Sequence, residues 1–241
     1  MTDQYTASVQ DIMDDISQLA SQFQSDSEKK QLQLIPKLIS VGEPGLEVLM
    51  DYLQENKSLA ENLVVGGAYQ ALYQANIPKT QKFLQTHFPS GLILLKSEVN
   101  IDYQPLQKLL AQQDFQAADI LTLKKLCELA GEAAVKRKWL YFTEVQQFPM
   151  TDLHTIDRLW WIHSEGKFGF SVQRQIWLSL GKDFVKMWQK IGWRNGNNWT
   201  RYPNEFSWDL SAPKGHLPSS NQLRGTRVIA SLFSHPVWSQ G

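Results

Sequence analysis

The sequence predicts an all-α protein in two parts, a small N-terminal helical bundle over residues 1–90 and a second helical unit over residues 91–241. Three observations predict it. Apolar residues recur at three- and four-residue spacing along most of the chain. Pro stands at the openings of these stretches and Gly just past their ends. The composition then changes along the chain. Residues 1–100 hold twelve acids and seven bases with no Arg, whereas residues 101–241 hold twelve acids, seventeen bases, all seven Arg and all nine Trp.

In the first part, Ser27 precedes a helix through KKQLQLIPKLIS, with Leu32, Ile35, Leu38 and Ile39 on one face and Gly42 as its stop. Pro44 opens a second helix that carries Leu46, Leu49, Met50 and Leu53 at helical spacing. A third runs from Leu63 to Tyr73, and Pro78 opens a fourth with Phe83 and Leu84. Such pairs resemble HEAT-like or armadillo-like units, although they are too few to define a repeat array. The stretch from Pro89 to Asn100 reads as a linker. In the second part, Pro105 opens one helix, and Asp114 caps a longer one that ends at Gly131 with Leu123, Leu126, Cys127 and Ala130 on one face. Further helices run from Asp152 to Ser164, from Ser171 (as cap) to Gly181, and from Lys182 to Trp193. A last helix, capped by Ser219 or Ser220, carries NQLRGTRVIASLFSH. Between Arg194 and Pro218 lies a stretch without helical period, longer than the ~12–15 residues of ordinary loops.

Composition excludes several classes. Of 241 residues, 42% are apolar and 20% charged, which marks a globular chain and not a disordered one. Twenty-four bases balance twenty-four acids, which speaks against nucleic acid as the partner. Cys127 is the single cysteine, so an intramolecular disulfide framework and a multi-cysteine metal cluster are excluded, and its apolar setting predicts a buried small hydrophobe. No apolar run approaches the ~20 residues of a membrane helix. The acidic start MTDQYTASVQDIMDDI fits neither a secretory signal nor an Arg-rich transit peptide, and predicts a reduced, cytoplasmic setting.

Binding residues are expected in the second part, because Trp and Arg concentrate where something is bound. Asn221, Arg224 and Arg227 follow one another at three-residue spacing at a helix start, where unpaired N–H groups and the dipole favour carboxylate or phosphate. The same arginines could instead pair with Glu205, Asp209 or chain carbonyls. The Arg194–Pro218 loop carries Trp199, Tyr202, Phe206, Trp208 and Leu217, flat and apolar surfaces suited to a large planar ligand, or else to a satellite core under the loop. Together they suggest an amphipathic planar anion. The five histidines form no metal-ligand pattern, and no catalytic constellation stands out. Lys136, Arg137 and Lys138 followed by Trp139, Tyr141 and Phe142 give only a distant nucleic-acid signal.

The runs WLYFTEV, DLHTID, LWW, GKFGFSVQRQIW, IGW, WTRYP, WDLSAP, GHLP, NQLRG and HPVWS closely resemble the Genomes-Uncoupled-four family, tetrapyrrole-binding regulators of magnesium chelatase. The resemblance covers nearly all of residues 101–241 and, more loosely, the helical accessory bundle of the cyanobacterial type. It implies an all-helical cupped core that binds protoporphyrin IX and Mg-protoporphyrin IX, and that activates the chelatase with its large porphyrin-binding subunit without being an enzyme. It further implies a monomer and allows a position peripheral to thylakoid membranes. Carried over residue by residue, the site falls on Arg224, Arg227, Asn221, Phe142 and Tyr202; Trp199, Phe206, Trp208, Leu217 and Val135 complete the candidate set. Ile120 or Leu121 stands where the family pattern leads one to expect an acidic or polar residue. The alternatives are a docking scaffold with a Trp-rich partner surface, or a sensor of haem or a bilin.

Overall fold

Helices form where apolar spacing and punctuation agree, and the chain divides into two compact units between Leu92 and Ile93. The computed structural model describes residues 9–59, 62–219 and 226–239. The first unit comprises α1 (Val9–Ser25), α2 (Glu28–Ser40), α3 (Glu43–Glu55), a single 3₁₀ turn, α4 (Leu63–Ala75) and α5 (Pro78–His87). Leu38, Leu49, Leu53, Val64, Val65 and Leu72 are fully buried at its centre. The core face of α2 is Gln31, Leu34, Ile35 and Leu38, while Ile39 is exposed, so the helix is rotated from the stripe expected. Tertiary packing decides that rotation, since apolar residues occur on more than one side of α2. Gln31 enters the core because its Nε2 donates to the Phe23 carbonyl at 2.6 Å. Asn62 caps α4 by accepting from Val64 N at 2.7 Å.

The second unit comprises α6 (Gln104–Ala111), α7 (Phe115–Ala130), α8 (Glu132–Arg137), α9 (Phe142–Val145), α10 (Met150–Ile162), α11 (Phe170–Ser179) and α12 (Phe184–Lys190). A two-residue hairpin follows, β1 (Arg194–Asn195) against β2 (Asn198–Trp199), with Arg194 opposite Trp199. The last helix is described as α13 (Thr226–Phe233). Trp160, wholly buried, lies against Phe115 and Phe168 at ring distances of 6.0 and 6.4 Å, and its Nε1 donates to Thr122 Oγ1 at 2.9 Å.

Three local expectations change. From Ile93 onward the supposed linker is strapped to the unit: Ile93 N donates to Gln107 Oε1 at 2.9 Å, Glu98 N to Asp152 Oδ2 at 2.9 Å, and Thr155 Oγ1 to the Lys96 carbonyl at 2.8 Å. Ser171 does not cap α11. The helix starts at Phe170 after Gly169, and the acceptor at its start is Asp157 of α10, which takes Ser171 N at 2.8 Å. Gly169 allows that approach, because a Cβ there would lie 2.8 Å from the Asp157 carboxylate. On α7 the buried stripe runs through Phe115, Ala118, Asp119, Thr122 and Leu126, with polar members that an apolar-only reading passes over. Cys127 is buried, and burial pushes its thiol up from the ordinary range, as befits a core residue.

Candidate functional site

The turn from α8 to α9 is built around one ion pair. Arg137 reaches Glu144 at 2.6 Å, donates from Nε to the Trp139 carbonyl at 3.1 Å, and lies 4.6 Å from the Trp139 ring centre and 4.4 Å from that of Tyr141. Glu144 also accepts from Tyr141 N at 2.7 Å, which closes the first turn of α9. One base of the 136–138 triplet is thereby taken up in the fold. The turn sets Phe142 at the start of α9, where the residue is 37% exposed, and Val135 on α8 is also exposed. Ser231 Oγ donates to the Phe142 carbonyl at 2.9 Å and so ties α9 to α13. The Arg227 guanidinium then stands 5.9 Å from the Phe142 ring centre. No described carboxylate pairs with it. Asn221 and Arg224, like Ser220, lie outside the described residues.

A second cluster forms in the loop. The Tyr202, Phe206 and Trp208 rings meet at 5.6–5.7 Å, and the His216 ring lies 4.8 Å from Phe206. Phe206 and Leu217 are buried, whereas Tyr202 and Trp208 are half-buried. Phe206 is thus the buried ring on which Tyr202 and Trp208 rest. The loop is anchored at several points. Trp193 Nε1 donates to the His216 carbonyl at 2.7 Å, and Gln173 Nε2 donates to the carbonyls of Gly215 and Pro218 at 3.0 and 2.8 Å. Asp119 of α7 takes Ser219 N at 2.5 Å and Ser219 Oγ at 2.6 Å. Burial pushes the Asp119 carboxyl up to about 6, against the lowering effect of the Ser219 hydrogen bonds. Burial, and then the Asp119 charge, raise the Tyr202 phenol, so it keeps its proton.

Trp199 belongs to a third group. Its ring is 4.7 Å from Trp188 and 5.8 Å from the Arg194 guanidinium, and 46% of the residue is exposed. It lines an open hollow of about 830 Å³ with Asn195, Asn197, Asn198, Thr200, Arg201 and Glu205. The candidate set thus falls into one pair joined by α9 and α13, one ring cluster with its buried supports, and one exposed hairpin Trp.

Among the described residues no three His, Cys, Asp or Glu side chains group as a metal site. His216 has both ring nitrogens engaged, Nδ1 with the Ile191 carbonyl at 2.7 Å and Nε2 accepting from Ser207 N at 3.3 Å. That is the neutral tautomer, consistent with a pKa lowered by burial. His163 is buried, and burial lowers it to about 3. No helix among the described residues is long and apolar enough to cross a membrane. Sequence reasoning missed Asp119, although a lone acid at an interior position of the α7 stripe was a usable signal. Nothing local announced the Arg137–Glu144 pair. Ile120 is 57% exposed and Leu121 is half-buried.

The family model described as GUN4-like matches residues 96–236, and the one described as an ARM-like repeat domain, GUN4-N terminal, matches residues 7–89. The chain is 54% identical over 228 residues to the Ycf53-like protein of Synechocystis sp., covering 94% of this chain and 98% of that one. It is 41% identical over 146 residues to the tetrapyrrole-binding protein, chloroplastic, of Arabidopsis thaliana, covering 57% and 55%. The solved structure of GUN4 from Chlamydomonas reinhardtii superposes with a TM-score of 0.58 at 40% identity, over 61% of this chain and 95% of that chain. The ligand-free structure of Arabidopsis thaliana GUN4 does so with a TM-score of 0.53 at 41% identity, over 60% and 99%.

Proposed function

The chain belongs to the GUN4-like family, and from that premise we propose that it binds a tetrapyrrole without transforming it. The ligands are protoporphyrin IX and Mg-protoporphyrin IX, and the bound form activates magnesium chelatase together with that enzyme's large porphyrin-binding subunit. The setting is cytoplasmic and peripheral to thylakoid membranes. The name of the Arabidopsis relative supports the ligand class. The observation that carries the reading on this chain is the Arg227 guanidinium beside the exposed Phe142 ring. A porphyrin offers the complement, a flat apolar macrocycle with propionates at its edge.

In this reading Arg227 and Arg224 hold propionates, Asn221 adds an amide, and Phe142 and Val135 receive the ring face. Tyr202 and Trp208 contribute the loop side, with Phe206 as their support and Leu217 buried in the same loop, and Trp199 borders the approach. Burying much of a macrocycle face at ~25 cal/mol per Å² supplies several kcal/mol before association costs, enough for micromolar or tighter binding. Both His216 ring nitrogens are occupied, so His216 would not be free to ligate the Mg form, and solvent would supply that ligand.

Titration with metal-free, Mg- and Fe-porphyrins in parallel, followed by the Soret band, tests this. The metal-free and Mg forms should bind within about tenfold of each other, a difference of ~1.4 kcal/mol. Arg227→Ala should weaken binding by ~1.5–3 kcal/mol, the range for a charged hydrogen bond, with circular dichroism unchanged. No Soret response to any of the three would leave the docking-scaffold reading in its place.

A further inference from the structure

We propose that Asn195 is a modification site, at which the side-chain amide is lost through a cyclic imide and the hairpin is left with an aspartyl or isoaspartyl link. The inference is independent of the tetrapyrrole reading. Of the nine Asn in the sequence, Asn195 alone precedes a Gly, so the next main-chain nitrogen is flanked by a residue with no side chain to shield it. The turn imposes that glycine. Gly196 is the first of the two residues that join β1 to β2, and its φ of +58° lies in the region that favours glycine. A Cβ on Gly196 would meet nothing within 4 Å, so the space beside the nitrogen is open. Residues 195–199 are all exposed. Arg194 holds Asn197 by its Oδ1 at 3.3 Å, whereas no hydrogen bond among the described residues holds the Asn195 amide.

In the reaction the Gly196 nitrogen attacks Asn195 Cγ. A C–N bond closes the imide, the bond from Cγ to the amide nitrogen breaks, and the Gly196 N–H proton leaves with that nitrogen as ammonia. Water from solvent then opens the imide. Opening at Cγ restores the main chain with a carboxylate in place of the amide. Opening at the α-carbonyl routes the chain through Cβ and Cγ, one carbon longer, with the α-carboxylate as the side group. Attack requires Asn195 to leave its extended strand geometry. The hairpin resists this weakly, because its ladder has only two pairs, Arg194 with Trp199 and Asn195 with Asn198. Thr200 ties the base, its N to the Trp193 carbonyl at 3.0 Å and its Oγ1 to the Gly192 carbonyl at 2.9 Å, so the tip opens alone. Either product places a negative charge in the hollow that Trp199, Arg201 and Glu205 line. The isoaspartyl product also breaks the register that sets the Trp199 ring 4.7 Å from Trp188.

Incubation of the full-length chain at neutral pH tests the proposal, with peptide mass mapping and with enzymatic methylation of isoaspartyl carboxylates as readouts. The peptide that holds Asn195 should gain the mass difference of OH over NH2 and take up most of the methyl label. Its rate should lie within about tenfold of that of a free peptide of residues 193–200, which puts hairpin opening at no more than ~1.4 kcal/mol. Asn195→Gln should remove the label. Gly196→Ala should slow conversion by about tenfold or more, because a methyl then crowds the attacking nitrogen even though the strained turn opens more readily. A rate more than about tenfold below that of the free peptide would overturn the proposal, since the fold then shields the site. Label that persists in Asn195→Gln, or conversion no slower in Gly196→Ala, would overturn it as well.

Discussion

The two units solve the problem of buried backbone in different ways. In the first, α2, α3 and α4 pack on one another, and helical hydrogen bonds satisfy the main chain internally. Its buried polar side chains are limited to Gln31, Gln70 and Thr80 among the described residues. In the second, buried carboxylates take main-chain donors that no helical ladder satisfies: Asp152 takes Glu98 N, Asp157 takes Ser171 N in the first turn of α11, and Asp119 takes Ser219 N. Stability in the first unit therefore hinges on how closely helices approach, and in the second on whether each buried donor keeps its partner.

The largest expected effect lies in the second unit. Asp152 is fully buried and accepts from Glu98 N at 2.9 Å and from the Tyr103 hydroxyl at 2.8 Å. Asp152→Ala orphans the buried Tyr103 hydroxyl and removes the acceptor of the part-buried Glu98 N, at roughly 1–3 kcal/mol each, so urea unfolding should show a loss of about 2–6 kcal/mol. A loss under about 1 kcal/mol would show that water replaces the acceptor and would erase the contrast between the units.

Close approach governs the corresponding prediction in the first unit. A Cβ on Gly45 would lie 1.9 Å from the Leu38 carbonyl oxygen, a backbone atom that cannot yield without separating α2 from α3. Gly45→Ala should cost about 2–3 kcal/mol, against the usual gain from Gly→Ala in a helix. At Gly67 the obstruction is the Ile35 Cδ1 at 2.7 Å, the end of a flexible side chain. Gly67→Ala should stay within about 1 kcal/mol of neutral. Equal losses at the two positions would indicate that side-chain crowding, and not backbone approach, sets helix spacing.

Acid sharpens the comparison further. Asp119, pushed up to about 6 by burial, and Asp157, also raised by burial, bind protons in the fold before they do in the unfolded chain. Their contribution is fully present below the ordinary Asp value and is lost as pH rises through the folded value. His163, lowered by burial to about 3, and His216 and His235, also lowered, act in the opposite sense and destabilise the fold as pH falls below about 6.5. Between about pH 6 and 4 the two sets oppose each other. Asp119→Asn should make the acid loss steeper by up to about 1.4 kcal/mol per pH unit, and His163→Gln should make it shallower. Trp fluorescence isolates the answer, because all nine Trp belong to the second unit. No change of slope in Asp119→Asn would mean that its carboxylate is better solvated than its burial implies.

The smallest effect is expected on removing the first unit. A fragment beginning near Gly91 should fold and retain porphyrin affinity within about threefold, under 1 kcal/mol. The two solved relatives support the choice, since about three-fifths of this chain accounts for 95% and 99% of theirs. A tenfold loss in the fragment would assign the first unit a part in binding.

Much of this was legible in the sequence where information is local. The apolar spacing and the Pro and Gly stops located α3, α5 and α7 and the capping by Asp114, whose carboxylate accepts from Ala117 N at 3.1 Å. The same reasoning failed where a partner comes from far along the chain. Ser171 is a plausible cap by its neighbours, yet Asp157 provides the acceptor at that helix start. Phe206 and Trp208 look alike in a loop, yet one is buried and the other half-buried.

The sequence by itself determined that this is a helical protein, that Arg and Trp are confined to its second part, and which family its motifs resemble, because helix period, composition and motif are properties of consecutive residues. The tertiary structure alone decided that Arg227 stands beside Phe142, that Arg137 is taken up by Glu144, and that Asp119 takes Ser219 from a hundred positions further along the chain. The physical reason is the same in each case. A buried charge or donor is stable only with its partner in place, and which residues become neighbours is set by how the helices pack.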